Sequence, residues 1–400
     1  MGLNNTPSAN RLHIAIFGKQ NSGKSTLLNF ITNQDIAIVS EQKGATADPV
    51  YKAMEIAGVG PCMLIDTAGF DDSGDLGKLR VEKTRVVLDR TDVAIMLVAD
   101  EDLSHEKEWA EEIKKRNISL ISVVNDFEDN DADKLLSLCQ KEIAELSIKV
   151  NAKKKIGRDA FIELILRNIP EKFEALSITA EHVKENDVVM LVMPQDIGAP
   201  KGRLILPQVQ TTRDLLDNKC TVISITHDKM EEALSKLKNP PDLIITDSQV
   251  FPYVYERTPK ESKLTSFSVL FAAYKGDVPS FVDGLKSFTT KFKEETEKEI
   301  NVLIAEACTH APQTEDIGRI KIPNILKKQY GDRVKITVVA GADFPKDLAG
   351  FDLVIHCGGC MFNRKFMMTR IEKAKAQGVP ITNYGIFLAN ATNILDKIDI

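Results

Sequence analysis

The chain has 400 residues, 43% of them hydrophobic; this exceeds what one hydrophobic core usually organises and fits a soluble globular protein of two or three domains. Its 52 Lys and Arg against 58 Asp and Glu give a formal net charge of -6, which argues against a nucleic-acid or anionic-membrane surface spread over the whole molecule. The opening MGLNNTPSAN lacks the regions of a signal peptide and no run approaches ~18 apolar residues, so a cytoplasmic location, no membrane partner and mostly reduced cysteines are expected.

From Leu12 to about Ile169 short apolar runs alternate with longer amphipathic ones. HIAIF (13–17), CMLID (62–66), VAIMLV (93–98) and LISVVN (120–125) predict buried parallel strands, each leading into a turn or helix. A charged stretch near Pro170 to Ala180 ends this unit. A second βα alternation follows: strand VVMLVMP (188–194), helix QVQTTRDLLD (208–217), strand CTVISI (220–225), helix KMEEALSKL (229–237), strand DLIIT (242–246). After the Pro- and charge-rich segment Thr258 to Lys263, a third begins with SFSVLFAAY (266–274) and NVLIAEAC (301–308), then runs through KITVVAG (335–341), FDLVIHC (351–357) and closing helices. The expected fold class is α/β, as three consecutive α/β domains at 10–172, 180–260 and 264–400.

The strand HIAIF feeds GKQNSGKST (18–26), whose Gly18, Gly23, Lys24 and Ser25 have Walker A spacing in the strand-to-helix context this loop requires. Backbone amides at a helix N-terminus wrap phosphates, Lys24 supplies a point charge to the β- and γ-phosphates, and Ser25 is the expected Mg²⁺ ligand. Asn21, Ser22 and Thr26 complete the expected nucleotide contacts of a GTP-binding loop. DTAG follows the strand CMLID, which puts Asp66 where it holds the Mg²⁺ water shell and leaves the Gly69 amide to sense the γ-phosphate. Between them the polar loop GATADP (44–49) offers Thr46 as a second Mg²⁺ ligand.

For the base, LISVVN ends in Asn125, Asp126, Phe127 and Glu128 where an Asn-Lys-x-Asp box is expected. Asp126 replaces the lysine and Glu128 the aspartate, which predicts guanine selectivity weaker than usual. Asn151, Ala152 and Lys153 stand where a Ser-Ala-Lys loop backs the base. Asn21 resembles the asparagine with which potassium-activated GTPases of the TrmE/Era-like class hold K⁺, a cation able to replace an arginine finger. Phe70 stands where Ras-type proteins place a water-positioning Gln, so slow intrinsic hydrolysis is expected. Asp71, Asp72 and Asp75 read as a solvated acidic loop, with no general base among them.

Cys62, Cys139 and Cys220 lie alone in apolar or amphipathic runs and read as small buried hydrophobes. The other three are different. Cys308 ends one strand and is followed by His310, while His356 and Cys357 end another and are followed by Gly358, Gly359 and Cys360. Residues past the carboxyl ends of strands in a doubly wound sheet converge on one crevice. Three thiols and two imidazoles then meet, with the glycines letting backbone approach a bulky group and the helix near Asn363 aiming its positive end at an anionic one. Such a set fits a 4Fe-4S cluster with one iron open, tetrahedral zinc, or a redox dithiol. His310 and His356 read equally as ligands or as supporting imidazoles.

The order of P-loop, small α/β segment, Cys-x-His and distant His-Cys-x-x-Cys resembles the FeFe-hydrogenase maturation GTPases, the HydF family, over essentially the whole chain. APKGRLILPQVQTTRDLLD (199–217) and LTSFSVLFAAYKGD (264–277) look like that family's stretches too. The resemblance implies an N-terminal P-loop GTPase fold, a small middle domain through which a homodimer forms, and a C-terminal doubly wound, parallel-sheet domain that binds a cluster. It implies a 4Fe-4S cluster on Cys308, Cys357 and Cys360, with His310 or His356 beside it as support or exchangeable ligand. It further implies a scaffold and carrier role: a transient diiron subcluster precursor is taken from radical-SAM maturation enzymes and delivered to apo FeFe-hydrogenase. The rival readings are a zinc-stabilised regulatory GTPase and a tRNA-modification-type GTPase. The second needs an RNA surface that the acidic composition argues against, and no nucleic-acid partner is expected.

Overall fold

The computed structural model of the protein describes residues 6–32, 49–71, 74–126, 131–170, 177–194, 204–295, 297–307, 316–341, 343–392 and 394–397. Packing divides the chain into two compact units, Met1–Ala175 and Leu176–Ile400.

The first unit is built on a six-stranded sheet of β1 (Leu12–Gly18), β2 (Val50–Ile56), β3 (Gly60–Asp66), β4 (Val93–Val98), β5 (Ser119–Asn125) and β6 (Ser147–Val150), in the order β2-β3-β1-β4-β5-β6. All neighbours are parallel except β2, which runs antiparallel to β3 from Val50↔Asp66 to Ile56↔Gly60. β1 and β4 are buried at every position, because crossover helices cover both faces of a parallel sheet. The four strands expected from apolar runs are these central ones. β2 and β6 escape that pattern because they lie at the edges and are largely exposed or half-buried, with mixed polar sequences VYKAMEI and SIKV.

The second unit holds two four-stranded sheets, both wholly parallel. β7 (Val188–Val192), β8 (Thr221–Ile225), β9 (Leu243–Thr246) and β10 (Lys263–Ser266) are ordered β10-β9-β7-β8. β11 (Ile300–Glu306), β12 (Val334–Ala340), β13 (Leu353–His356) and β14 (Ile381–Asn383) are ordered β12-β11-β13-β14.

Residues 263–275 join the two sheets instead of opening the third βα alternation. Lys263–Ser266 adds a fourth strand to the β7–β9 sheet, and Ser266 then caps the helix Phe267–Lys275, accepting the Val269 amide at 3.3 Å. Phe267, Leu270 and Phe271 pack in the core over β7 and β9, whereas Val269 and Ala272 pack in the core of the β11–β14 sheet. A helix apolar on all sides is buried on all sides, and its short apolar run carries no periodicity to separate it from a strand.

Trp109, the single tryptophan, is buried in the first unit between Phe17 (ring centroids 5.8 Å) and Phe70 (5.6 Å), so its fluorescence reports that unit alone. His13 on β1 is also buried there; burial lowers its pKa to about 4, below the ordinary 6.5. Between these values the unfolded chain binds a proton that the folded one refuses, so stability falls as pH drops. Trp109-detected unfolding should lose ~1.5 kcal/mol between pH 6.5 and 5 through His13, and His13→Gln should flatten that part of the slope. An identical slope in the variant would show that His13 does not titrate across the transition.

Candidate functional site

β1 delivers the chain to Gly18 at the sheet's carboxyl edge, and the helix Lys24–Thr32 leaves from there. The tight turn needs special backbone: Asn21 has φ 60° and Gly23 φ 94°. Lys24 is buried, its Nζ donating to the Gly18 carbonyl at 3.0 Å and the Lys19 carbonyl at 2.6 Å, which centres the ammonium on the loop. The Ser25 hydroxyl donates to Asp66 Oδ2 at 3.1 Å, so the two oxygen donors expected around Mg²⁺ are already neighbours. Burial raises the Asp66 pKa, opposed by the Lys24 charge and the Ser25 hydrogen bond. Ser22 is buried and Thr26 exposed on the first helical turn. From the far side, Arg158 donates to the Phe30 and Ile31 carbonyls (2.9–3.2 Å), tying down the end of the helix that starts at Lys24.

The loop after β3 presses on the phosphate loop. A Cβ on Gly69 would lie 2.7 Å from the Gln20 nitrogen and 2.9 Å from its Cα, an approach only glycine permits. Asp71, one of the acids read as solvated, instead accepts the Gln20 amide at 2.6 Å. Phe70 turns inward and stacks on Trp109. At the sheet's other side Asn125 Oδ1 accepts the Ala152 amide at 3.0 Å, and Asn151 Nδ2 donates to the Asp126 carbonyl at 2.8 Å. Asn151 Oδ1 accepts the Lys154 amide at 2.8 Å. Two segments 26 residues apart are thus joined by hydrogen bonds. Thr46 and Glu128 lie outside the described residues.

In the second unit β11 and β13 are adjacent and parallel, with Ala305 opposite His356. Chain order places β12 on one side of this pair and β14 on the other, so the point where strand order reverses lies between them. Here the Ala307 amide donates to Cys357 Sγ at 3.0 Å, and the Cys357 amide to the Ala305 carbonyl at 2.9 Å. Cys308 and His310 lie outside the described residues; Ala307 is the residue before Cys308. Cys357 and Cys360 are half-buried, flanking Gly358, whose Cβ position is open, and Gly359, at φ 56°. Asn363 caps the helix Arg364–Ala376, accepting the Phe366 amide at 3.3 Å. Among the described residues no three or more His, Cys, Asp or Glu side chains form a metal-sized group.

His356 is buried with both ring nitrogens engaged. Arg370 Nη1 lies 3.0 Å from Nε2, and arginine only donates, so Nε2 accepts and Nδ1 carries the proton given to the Cys357 carbonyl at 2.7 Å. Burial, then the Arg370 charge, lowers its pKa to about 3, which keeps it neutral. It braces the Cys357 backbone. Two cations absent from the expected set complete the site. Lys275 Nζ donates to the carbonyls of Gly359 (3.1 Å), Cys360 (3.0 Å) and Phe362 (2.8 Å), and Arg364 Nη1 to those of Ala273 (3.2 Å), Tyr274 (3.0 Å) and Gly276 (2.8 Å). Burial lowers the Lys275 pKa to about 8 against the opposing pull of Cys360 and Cys357. The signal in the sequence was a lone lysine ending the apolar run FSVLFAAYK.

Three family models match stretches of this chain. Residues 13–126 match the family model described as 50S ribosome-binding GTPase, 178–276 the Hydrogen maturase F dimerization domain, and 280–398 the Hydrogen maturase F tetramerization domain. The chain belongs to the HydF-type maturases. The chain thus joins a GTPase domain to the two HydF domains. The helix that carries Lys275 lies at the end of the HydF dimerization match and the thiols in the HydF tetramerization match.

Single proteins resemble parts of the chain. The tRNA modification GTPase MnmE of Bacteroides thetaiotaomicron is 32% identical over 188 residues, 45% of this chain and 39% of that protein. MnmE of Ehrlichia canis is 29% identical over 227 residues, 52% of this chain and 50% of that protein. The chain thus spans half or less of the length of these relatives. A solved structure of Aquifex aeolicus Era bound to GDP and AlF4⁻ aligns at TM-score 0.36 and 20% identity, covering 56% of this chain and 97% of that one.

The Gly69 approach makes a testable demand. Gly69→Ala should force the loop after β3 off the phosphate loop and destabilise the first unit by ~1–3 kcal/mol, read from Trp109 fluorescence during denaturation. An unchanged midpoint would show that the two loops do not approach this closely.

Proposed function

We propose that this HydF-type chain is a GTP-hydrolysing scaffold and carrier of FeFe-hydrogenase maturation. It holds a 4Fe-4S cluster on Cys308, Cys357 and Cys360, takes a diiron precursor from radical-SAM enzymes and delivers it to the apo-hydrogenase, acting as a cytoplasmic homodimer. The observation that carries the cluster reading is the hydrogen bond from Ala307, next to Cys308, to Cys357 Sγ at the reversal point of the sheet. The donors fit: two half-exposed thiols sit around a turn whose Gly358 leaves open space, and an amide already points at one sulfur. A cluster held by three thiolates supplies an iron with one exchangeable position. The chain's own residues fix the thiols, with His356 bracing the Cys357 carbonyl and Ala307 solvating its sulfur.

In the GTPase unit Lys24 offsets charge on the β- and γ-phosphates, Ser25 and Thr46 offer hydroxyls to Mg²⁺, and Asp66 orients its water shell. The adjoining Ser25 hydroxyl and Asp66 carboxylate are the hard-oxygen donors that Mg²⁺ takes. Asn21 offers its side chain to K⁺, and Gly18, Ser22, Gly23, Thr26 and Gly69 supply the phosphate-facing backbone. Asn125 and Glu128, backed by Asn151 and Ala152, recognise guanine. With Phe70 turned into the core, turnover is slow and depends on the monovalent cation.

Lys24→Ala should abolish GTP hydrolysis in a phosphate-release assay while iron binding survives, because the thiols belong to the other unit; undiminished turnover would remove Lys24 from the site. Hydrolysis should run faster in potassium than in sodium chloride at equal ionic strength, and equal rates would exclude the Asn21 cation. After anaerobic reconstitution, Cys→Ser at 308, 357 or 360 should each lose most bound iron, whereas His356→Asn should keep it with a shifted EPR signal. One zinc per chain without iron would replace the cluster by a structural zinc site.

A further inference from the structure

The thiol-bearing turn is held by an ammonium with which no carboxylate among the described residues pairs. Lys275 is 1% exposed, and its three N–H donors are used up by the carbonyls of Gly359, Cys360 and Phe362 at 2.8–3.1 Å. Among the described residues no Asp or Glu pairs with it, and the ionisable neighbours that act on it are Cys360 and Cys357. A lysine at a helix C-terminus ordinarily serves the helix's own last carbonyls. Here Arg364 already takes those of Ala273, Tyr274 and Gly276, and Lys275 reaches across to the turn instead. A buried ammonium without a counter-charge is costly, so an element that keeps one beside two thiols expects negative charge there.

We infer that Lys275 is a positioning residue that holds the Cys357–Cys360 turn and supplies the fixed positive charge that offsets the thiolate-bound cluster, setting its reduction potential. The inference rests on the cluster reading above and adds a residue to it from the other sheet's side of the unit. Net charge and hydrogen bonding near the sulfurs are the terms that set such a potential. A reduced cluster carries one more negative charge than an oxidised one, so removing Lys275 disfavours reduction.

The test uses the full chain, reconstituted anaerobically with iron and sulfide, as wild type and as Lys275→Gln, Lys275→Met and Lys275→Arg. Glutamine keeps donors for the turn without the charge, methionine removes both, and arginine keeps the charge. Iron per chain and the midpoint potential from an EPR-monitored titration are read, with the GTPase rate expected unchanged in all four. The Gln variant should be harder to reduce by at least tenfold in the one-electron equilibrium, a shift of about 59 mV to more negative potential, and Arg should restore it. If Gln and Met hold too little iron to titrate while Arg holds wild-type iron, the charge requirement stands on assembly itself. Wild-type iron and potential in Gln and Met would overturn the inference. So would equal iron loss in all three variants, including Arg, which marks a packing role. Wild type that takes up no iron fails at the cluster reading, a result that no Lys275 variant can produce.

Discussion

Parallel strands impose one constraint on which both candidate sites depend. Every strand of such a sheet ends on the same edge, and where strand order reverses, the loops leaving adjacent strands part and open a crevice. In the first unit the reversal lies between β1 and β4, and the phosphate loop follows β1. In the β11–β14 sheet it lies between β11 and β13, and each of these strands is followed at once by thiol-bearing sequence. The 48 residues between Cys308 and Cys357 are therefore no obstacle, because the ladder from Val302↔Leu353 to Ala305↔His356 brings the two strand ends side by side. The glycine-rich loop after β1 and the thiol-bearing sequence after β13 use the same geometric device on separate cores.

Burial explains how the cysteines divide. Cys62 and Cys139 are enclosed in the first unit, and burial pushes their thiols up to about 12 and about 11, so both stay protonated and act as packing atoms. Cys220 is buried under β8, its thiol likewise raised by burial. Cys357 and Cys360 are half-exposed at a turn whose carbonyls take the buried Lys275 ammonium. The sequence already separated lone cysteines in apolar runs from those at strand ends, and exposure is the physical reason that division works.

What the sequence made legible was whatever depends on local pattern. Uniformly apolar runs marked the central strands, and glycine spacing marked the phosphate loop because the turn demands φ values near those of Asn21 and Gly23. Edge strands β2, β6, β10 and β14 are short or half-exposed and leave no such pattern. Contacts made by reach were illegible for a different reason. Asp71 on the Gln20 amide, Arg158 on the Phe30 and Ile31 carbonyls and Lys275 on the CGGC turn join residues 51 to 128 positions apart, and nothing in their own neighbourhoods announces a target. His356 shows the limit from the other side: its place beside Cys357 suited a ligand, yet the Arg370 guanidinium claims the nitrogen that a metal would need.

The helix Phe267–Lys275 carries the last step of this reasoning. One of its faces belongs to the core over β7 and β9, the other to the core of the β11–β14 sheet, and its final side chain ends on the thiol turn. Arg364, four residues past Cys360, returns the contact by closing the helix's carbonyl end. Each cation is buried or half-buried at a backbone end that the other segment supplies, so neither segment can shift without stripping a charged donor from its acceptors, at ~1.5–3 kcal/mol for each such bond. The β7–β10 sheet and the Cys357–Cys360 turn are thereby joined by a packed helix and two charged clamps. The two HydF domains of this unit share an element, the helix Phe267–Lys275, and its last side chain reaches the thiol turn.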